Sequence, residues 1–491
     1  MLQVDAADAQ RILLQAGSRS RRHNADSDAS DSNDKGGGDL LSTGLHEYQA
    51  NPLIQALKHF VQKTLMPIFL MATTPTLVIL LWFCAVHCDN SFTKLGAIFS
   101  EKSFIGGLAF VWSHVHSPSP AIVAILVSYS AFALCLMRLV PGNTVYGPLT
   151  PKGNRPQYTD NGFSCFLITI AAFLVVTVVC KTYFSVSPTI VYDRFDEVLL
   201  VLNIFSMLFC LLLYVKGLLA PSTSDSGSSG NVIFDYYWGT ELYPRLLGFD
   251  VKVFTNCRFG MTVWPLLVCV FALKSYELHG PVDSMLVSAL LQMIYFAKFF
   301  WWEAGYMCTI DIMVDRAGYY ICWGCLVFIP GLYASVSLSL VNHPVHLGLP
   351  LSVLIVTLGV LAIYVNYDAD RQKLYVRNAQ GECLVWGRKP VILRARYMLD
   401  SGETRESILL ASGWWGLARH FHYVAEIALT FCWSVPALFS GGLLPYTYCL
   451  WLVLLLTHRS YRDDEKCGKK YGQFWVQYRQ LVPSKIIPYI F

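Results

Sequence analysis

FSCFLITIAAFLVVTVVC, residues 163–180, runs its whole length without a charged side chain. A hydrocarbon layer about 30 Å thick takes about 20 helical residues to cross. Apolar runs of similar length, some with a charge or two, recur at 66–87, 120–139, 198–218, 258–273, 282–302, 319–341, 349–366, 424–438 and 441–457, with 103–115 as a further partial segment. They predict about ten membrane spans. Hydrophobic residues make up 54% of the 491 and charged residues 14%, against about 25% charged in soluble domains. The fold class is therefore read as all-α, a multi-pass transmembrane helix bundle.

Residues 1–48 are polar, with a basic run at Arg19, Arg21 and Arg22, then an Asp/Ser/Asn stretch ending at Gly36-Gly37-Gly38. Such a segment buries too little apolar surface to fold, and is read as a disordered tail. It also lacks the short apolar core of a cleaved signal peptide. The 15 cysteines follow no regular spacing, which predicts free thiols. Cys322 and Cys325 form a lone CxxC with no second ligand pair nearby, so no metal is expected. The net charge of +4 is small, and nothing points to a nucleic-acid partner.

Charge orients the bundle. The polar stretch between the spans at 349–366 and 424–438 holds Arg371, Lys373, Arg377, Arg388, Lys389, Arg394, Arg396 and Arg405. Arg459, Arg462, Lys466, Lys469, Lys470, Arg479 and Lys485 follow the last span. Both segments belong on the cytosolic side by the positive-inside tendency. Two spans separate them, so the assignments agree. Membrane lipid is the surrounding partner.

Several polar groups stand out in this setting. Arg459 and Asp463 are four apart and share a helix face. That pair is either an exposed ion pair of little worth or an arginine holding phosphate oxygens. Tyr471 and Tyr478 share a face at seven apart and read as interfacial anchors or as site residues. Lys373 and Arg377 place two cations on one face, which calls for an anionic lipid or a nucleotide. Tyr295, Lys298, Glu303, Asp311 and Asp315 lie in or near spans, where ionisable groups line cavities unless a loop holds them. Between two other spans, Phe234 to Arg245 is dense in aromatic and charged residues, as in an interfacial belt or a site. No glycine-rich dinucleotide fingerprint follows a strand, so a nucleotide here would not rest on a Rossmann domain.

These residues carry a resemblance. Ser412-Gly413-Trp414-Trp415-Gly416-Leu417-Ala418-Arg419-His420, Leu444-Pro445-Tyr446-Thr447-Tyr448, His458-Arg459 with Arg462-Asp463, and Lys470-Tyr471-Gly472 with Trp475 and Tyr478 are similar to the C-terminal pattern of the sterol reductases of the endoplasmic reticulum. The likeness extends upstream through Gly239 to Arg245, Thr309 to Ile312 and Leu384 to Pro390, covering about 55–491. Within that family the delta-7 branch is the nearest likeness, and the delta-14 branch and a non-catalytic sterol binder are the alternatives. The resemblance implies reduction of a sterol double bond with NADPH, by proton donation and then hydride transfer. It implies an endoplasmic reticulum membrane domain over 49–491, with the cofactor-binding part at about 367–491. By the same resemblance Lys373, Arg377, Trp415, His422, Arg459, Asp463 and Tyr471 bind the cofactor. Tyr478, Asp463 and Tyr295 stand at the proton-donating end, and Lys298, Trp302, Glu303 and Asp311 line the sterol pocket.

Departures cluster near that pocket. The family's Asn-Tyr-x-Gly-Asp is His422-Tyr423-Val424-Ala425-Glu426 here. Lys298 stands where many relatives carry an acid, and Trp302 where they carry an amide.

Overall fold

The computed structural model describes residues 52–491, apart from 151, 400, 401, 439 and 441. The tail read as disordered lies outside the described residues. Long helices dominate: α1 (Leu53–His87), α2 (Phe92–Trp112), α3 (Pro120–Leu139), α4 (Gly162–Tyr183), α5 (Phe195–Leu219), α6 (Val253–His279), α7 (Asp283–Trp301), α8 (Tyr319–Leu340) and α9 (Leu349–Asn378). Among the described residues these nine are long and apolar enough to cross a membrane. α10 (Phe421–Ser434), α11 (Thr447–Tyr471) and α12 (Gln473–Leu481) complete the chain.

Burial sorts the helices. The apolar windows of α6 and α8 are 72% and 83% buried, those of α2 and α3 only 11%. So α6 and α8 form the centre, and the outer helices keep apolar residues such as Leu174, Val175 and Val176 exposed. A helix apolar on all sides is stable where lipid covers it. Trp264 of α6 lies at the heart of the core, with Trp433 and Tyr448 edge-on to it.

The ends of the helices show which of them cross. Asn90, just before α2, donates from Nδ2 to the Ser339 carbonyl near the end of α8, at 2.9 Å. His114, just after α2, has its ring 5.1 Å from that of His87 at the end of α1. Both ends of α2 therefore lie on one face, and α2 turns back within the bundle. The turn is at Ser103, with φ 64 and ψ 169. Phe99 on the first arm fills the space beside Gly107 on the second, where a Cβ would meet the ring at 2.5 Å. The partial segment at 103–115 corresponds to the second arm.

α10 and α11 are the final out-and-back pair. α10 begins beside the end of α9 on the basic face. Near its other end the Trp433 carbonyl accepts from Ser288 of α7 at 2.7 Å. The connection reaches Gly442, packed on the Asn90 backbone, and α11 returns to the basic face. α10 is short, at 14 residues, and the second half of α11 is charged. The ten spans read from the sequence thus correspond to eight of the nine long apolar helices and to this pair, which is not among the nine; the ninth is α2.

Ser103 holds a backbone conformation that costs a residue with a Cβ about 1–3 kcal/mol. Its hydroxyl caps the second arm through the Gly106 N–H at 3.4 Å, and glycine replaces such a cap at a cost of about a few tenths of a kcal/mol. Ser103→Gly is expected to raise the thermal unfolding midpoint in detergent, and Ser103→Val to lower it. Equal midpoints for both would refute the strained turn.

The basic face carries small antiparallel hairpins: β1 (Asn143–Tyr146) with β2 (Gln157–Asp160), β3 (Arg245–Leu246) with β4 (Phe249–Asp250), and β5 (Ile392–Met398) with β6 (Thr404–Leu410). The stretch read as the cofactor-binding part, about 367–491, comprises the end of α9, the β5–β6 hairpin and α10 to α12.

Candidate active site

α9 is 30 residues long, more than a crossing needs, so its last turns stand clear of the apolar layer and carry Lys373 and Arg377. Arg377 Nε donates to the Ile408 carbonyl of β6 at 3.2 Å, tying the hairpin to the helix. Lys373 Nζ lies 4.0 Å from the centre of the Trp415 ring. Trp415 is fixed by its indole N–H, which donates to the Ala369 carbonyl of α9 at 2.7 Å. Gly413 makes this approach possible. It has φ 61, and a Cβ there would come within 2.2 Å of Gln372.

α10 then presents His422, whose ring is 5.0 Å from that of Trp415. His420 stacks on Tyr423 at 5.0 Å and lies 3.8 Å from the Asp463 carboxylate. Burial lowers the His420 pKa below its usual value, and Asp463 offsets only part of that. Lys373, Trp415, His420, His422 and Asp463 therefore form one basic-face lobe.

Tyr471 and Tyr478 sit on the hairpin side of this lobe. With Ala395, Leu409, Trp475 and Val482 they make a small core. The Tyr478 hydroxyl donates to the Leu410 carbonyl at 2.8 Å. Burial raises its pKa above the usual phenol range. Tyr478 is thus committed to holding α12 on the hairpin, apart from Tyr295.

The inner lobe lies deeper. Arg459 donates to both Asp311 oxygens, at 2.5 and 2.7 Å, and not to Asp463, whose spacing alone suggested a partnership. One turn on, Arg462 pairs with Asp315, which is fully buried. Burial raises the Asp315 pKa, and Arg462 opposes the rise. Lys252 braces this loop from beneath, donating to the Ile312 and Asp315 carbonyls at 2.7 and 2.6 Å. Burial pushes the Lys252 pKa down to about 8, with Asp250, Asp315 and Asp311 opposing.

Tyr295 donates to Glu426 at 2.8 Å. Lys298 bonds Asn366 of α9, which in turn donates to the His422 carbonyl at 3.1 Å. Tyr306, Tyr320, Tyr333, Tyr423 and Arg459 are only half-buried, although Tyr333 packs on the fully buried Tyr448. Partial exposure deep in the bundle is what side chains lining an internal cavity show. Residues 319–333 of α8 are wound as a π-helix beside a second π-helical stretch, 253–260 of α6. Such wide turns recur at functional sites.

Two residues expected in the sterol pocket are otherwise engaged. Glu303 forms a two-pronged pair with Arg258, both buried, and Arg258 also donates to Asn161 at 2.8 Å. Trp302 packs edge-on against Tyr367 of α9, with ring centres 5.3 Å apart. Lys298 and Asp311 do face the inner lobe. Sequence reasoning missed Glu426, Asn366, Lys252 and the cavity tyrosines. Glu426 had a signal, since it stands where the family pattern has its acid.

Three buried polar atoms here have no hydrogen-bond partner: Arg459 Nε, His422 Nδ1 and His420 Nε2. Buried polar groups in folded proteins are usually paired. With Lys373 and Arg377 beside a flat indole, this donor set fits an anionic ligand with a flat ring. Among the described residues no group of three or more His, Cys, Asp or Glu could hold a metal ion.

Comparison with known proteins agrees with this arrangement. Residues 59–491 match the model of the ergosterol biosynthesis ERG4/ERG24 family. The chain is 50% identical over 427 residues to a 7-dehydrocholesterol reductase of Arabidopsis thaliana, covering 86% of this chain and 96% of that protein. It is 34% identical over 399 residues to the 7-dehydrocholesterol reductase of Danio rerio, covering 78% and 82%. It is also 34% identical over 424 residues to a delta(14)-sterol reductase of Methylotuvimicrobium alcaliphilum, covering 86% and 94%. With a family match over residues 59–491 and relatives 34–50% identical over most of the chain, this protein belongs to the ERG4/ERG24 family of sterol reductases.

Proposed function

We propose that the chain reduces the delta-7 double bond of a sterol, using NADPH and a 7-dehydrocholesterol-like substrate from the bilayer. One observation carries the reading: α10 links the two lobes. His422 faces Trp415 on the basic face, and Glu426, one turn on, holds Tyr295 in the cavity. The higher identity to a relative named for the delta-7 reaction favours that bond over delta-14. The proposed setting is the endoplasmic reticulum membrane, with the C-terminus cytosolic.

Lys373, Arg377, Trp415, His422, Arg459, Asp463 and Tyr471 would hold NADPH. The cations suit its phosphates, the Trp415 face suits a flat base, and the unpartnered atoms of His422 and Arg459 suit its polar edges. When bound, NADPH supplies the hydride. An unactivated alkene accepts hydride poorly, so protonation comes first. Tyr295 is placed to give its hydroxyl proton to the alkene, whose π electrons form the new C–H bond and leave a tertiary cation on the sterol. The ring faces of Tyr320, Tyr333 and Tyr423 would stabilise that cation, as aromatic faces do for cations generally. Asp311 holds Arg459 in place.

The test is an assay of microsomes from expressing cells with NADPH and 7-dehydrocholesterol, reading product by mass and retention. The delta-7-reduced sterol is expected. Reduction of a delta-14 sterol alone would overturn the delta-7 reading. No product from either sterol and no NADPH binding would leave a non-catalytic sterol binder.

A further inference from the structure

This inference rests on the reading of Tyr295 as the proton donor. A donor that acts once per turnover must be refilled, and Tyr295 lies among core rings, 6.4 Å from Trp264 and 5.4 Å from Trp433 between ring centres. Its hydroxyl donates to Glu426, at 2.8 Å. Among the described residues Glu426 has no ion pair within 4 Å, so its carboxyl is not locked to a cation as those of Glu303 and Asp311 are.

The groups around it are linked to one another. Lys298 lies one turn from Tyr295 on α7 and bonds Asn366. Asn366 bonds the backbone of His422, one turn before Glu426 on α10. His422 Nδ1 is unpartnered and its ring faces the basic lobe. Polar groups of three helices thus cluster within a turn of the Tyr295–Glu426 pair.

We propose that Glu426 is the positioning residue that reloads Tyr295 with its proton, drawn from water at the basic face, while Lys298 and Asn366 hold the polar groups around it in place. As a carboxylate, Glu426 accepts the phenolic proton in a hydrogen bond and holds it away from the sterol. As a carboxylic acid, it donates to the phenol oxygen instead and frees the phenolic proton for the alkene. After the Tyr295 O–H bond has broken, the Glu426 O–H bond breaks in turn and its proton restores the phenol. Water at the basic face then reprotonates the carboxylate. Each cycle consumes one proton from solvent and one hydride from the cofactor.

The test uses the purified full chain in detergent, with NADPH and the sterol that the wild type reduces. Glutamine at 426 can still donate to the phenol oxygen but cannot pass a proton. Glu426→Gln is therefore expected to keep single-turnover reduction within about threefold of wild type while steady-state kcat falls at least about tenfold. Glu426→Asp should recover most of the loss. An unchanged kcat in the glutamine variant, or an equal loss in single-turnover and steady-state rates, would overturn the relay. If the glutamine variant does not fold, Glu426→Asp decides. A larger solvent isotope effect on kcat than in wild type supports the relay, and an unchanged one overturns it. If the wild type itself reduces no sterol, the proposed function fails and not the relay alone.

Discussion

Tyr295→Phe is expected to lower steady-state sterol reduction by about 10²–10⁴-fold, the usual range for a lost general acid, with NADPH affinity little changed. The substitution removes one oxygen and keeps the ring against Trp264 and Trp433, so the cavity keeps its shape. The residues proposed to hold the cofactor lie on α9, α10, α11 and the turn at Trp415, and none hydrogen-bonds the Tyr295 hydroxyl. Tyr478→Phe makes the contrast. It breaks a buried hydrogen bond to the Leu410 carbonyl, which costs about 1–3 kcal/mol in stability and only modestly affects turnover. Parallel assays of kcat, NADPH titration and thermal unfolding separate the two. Full turnover in the Tyr295 variant would remove it from the mechanism.

Glu303→Gln is expected to be among the most destabilising single changes in the protein, at about 3–5 kcal/mol. It leaves the Arg258 guanidinium buried in the bundle with only neutral side-chain oxygens, that of Asn161 and the amide oxygen at 303, in direct contact. The site is tight, since a Cβ at Gly162 would lie 2.3 Å from the Glu303 carboxylate. Replacing both members, as Arg258→Met with Glu303→Leu, should recover much of the loss, since an apolar pair leaves no stranded charge. The readout is the thermal midpoint of the detergent-solubilised protein. A single variant as stable as wild type would show that the charge is compensated elsewhere.

Much of this architecture is legible in the residues. A run such as 163–180 has few ways to be stable other than spanning lipid, so the crossings can be read one by one. The turn in α2 is hidden, because it rests on the backbone angles of Ser103, with no proline or glycine at the bend itself. The β5–β6 hairpin is hidden as well. Arg394 and Arg396 alternate with Leu393, Ala395 and Tyr397, a strand pattern that reads as a charged loop amid so much apolar sequence. Spacing along a helix correctly drew Arg459 out as special. It could not reveal that its partner is Asp311, 148 positions away, in place of its neighbour Asp463. Glu303 was singled out for the right reason, since a buried acid needs an explanation, but Arg258 supplies that explanation and not a ligand. Tyr295 was legible from its neighbourhood, whereas its bond to Glu426 needed the packing of α7 against α10.

The turn in α2 has a consequence for the orientation of everything after it. Each helix that crosses exchanges inside for outside, and α2, by returning to the face it left, exchanges nothing. Were it to straighten and cross, every later helix would be inverted. The arginines and lysines of the basic face would then have to pass through the bilayer to the compartment where positive charge is least welcome. The Ser103 backbone therefore does more than shape a peripheral hairpin: it sets the parity of the chain, and with it the side of the membrane that the basic face meets.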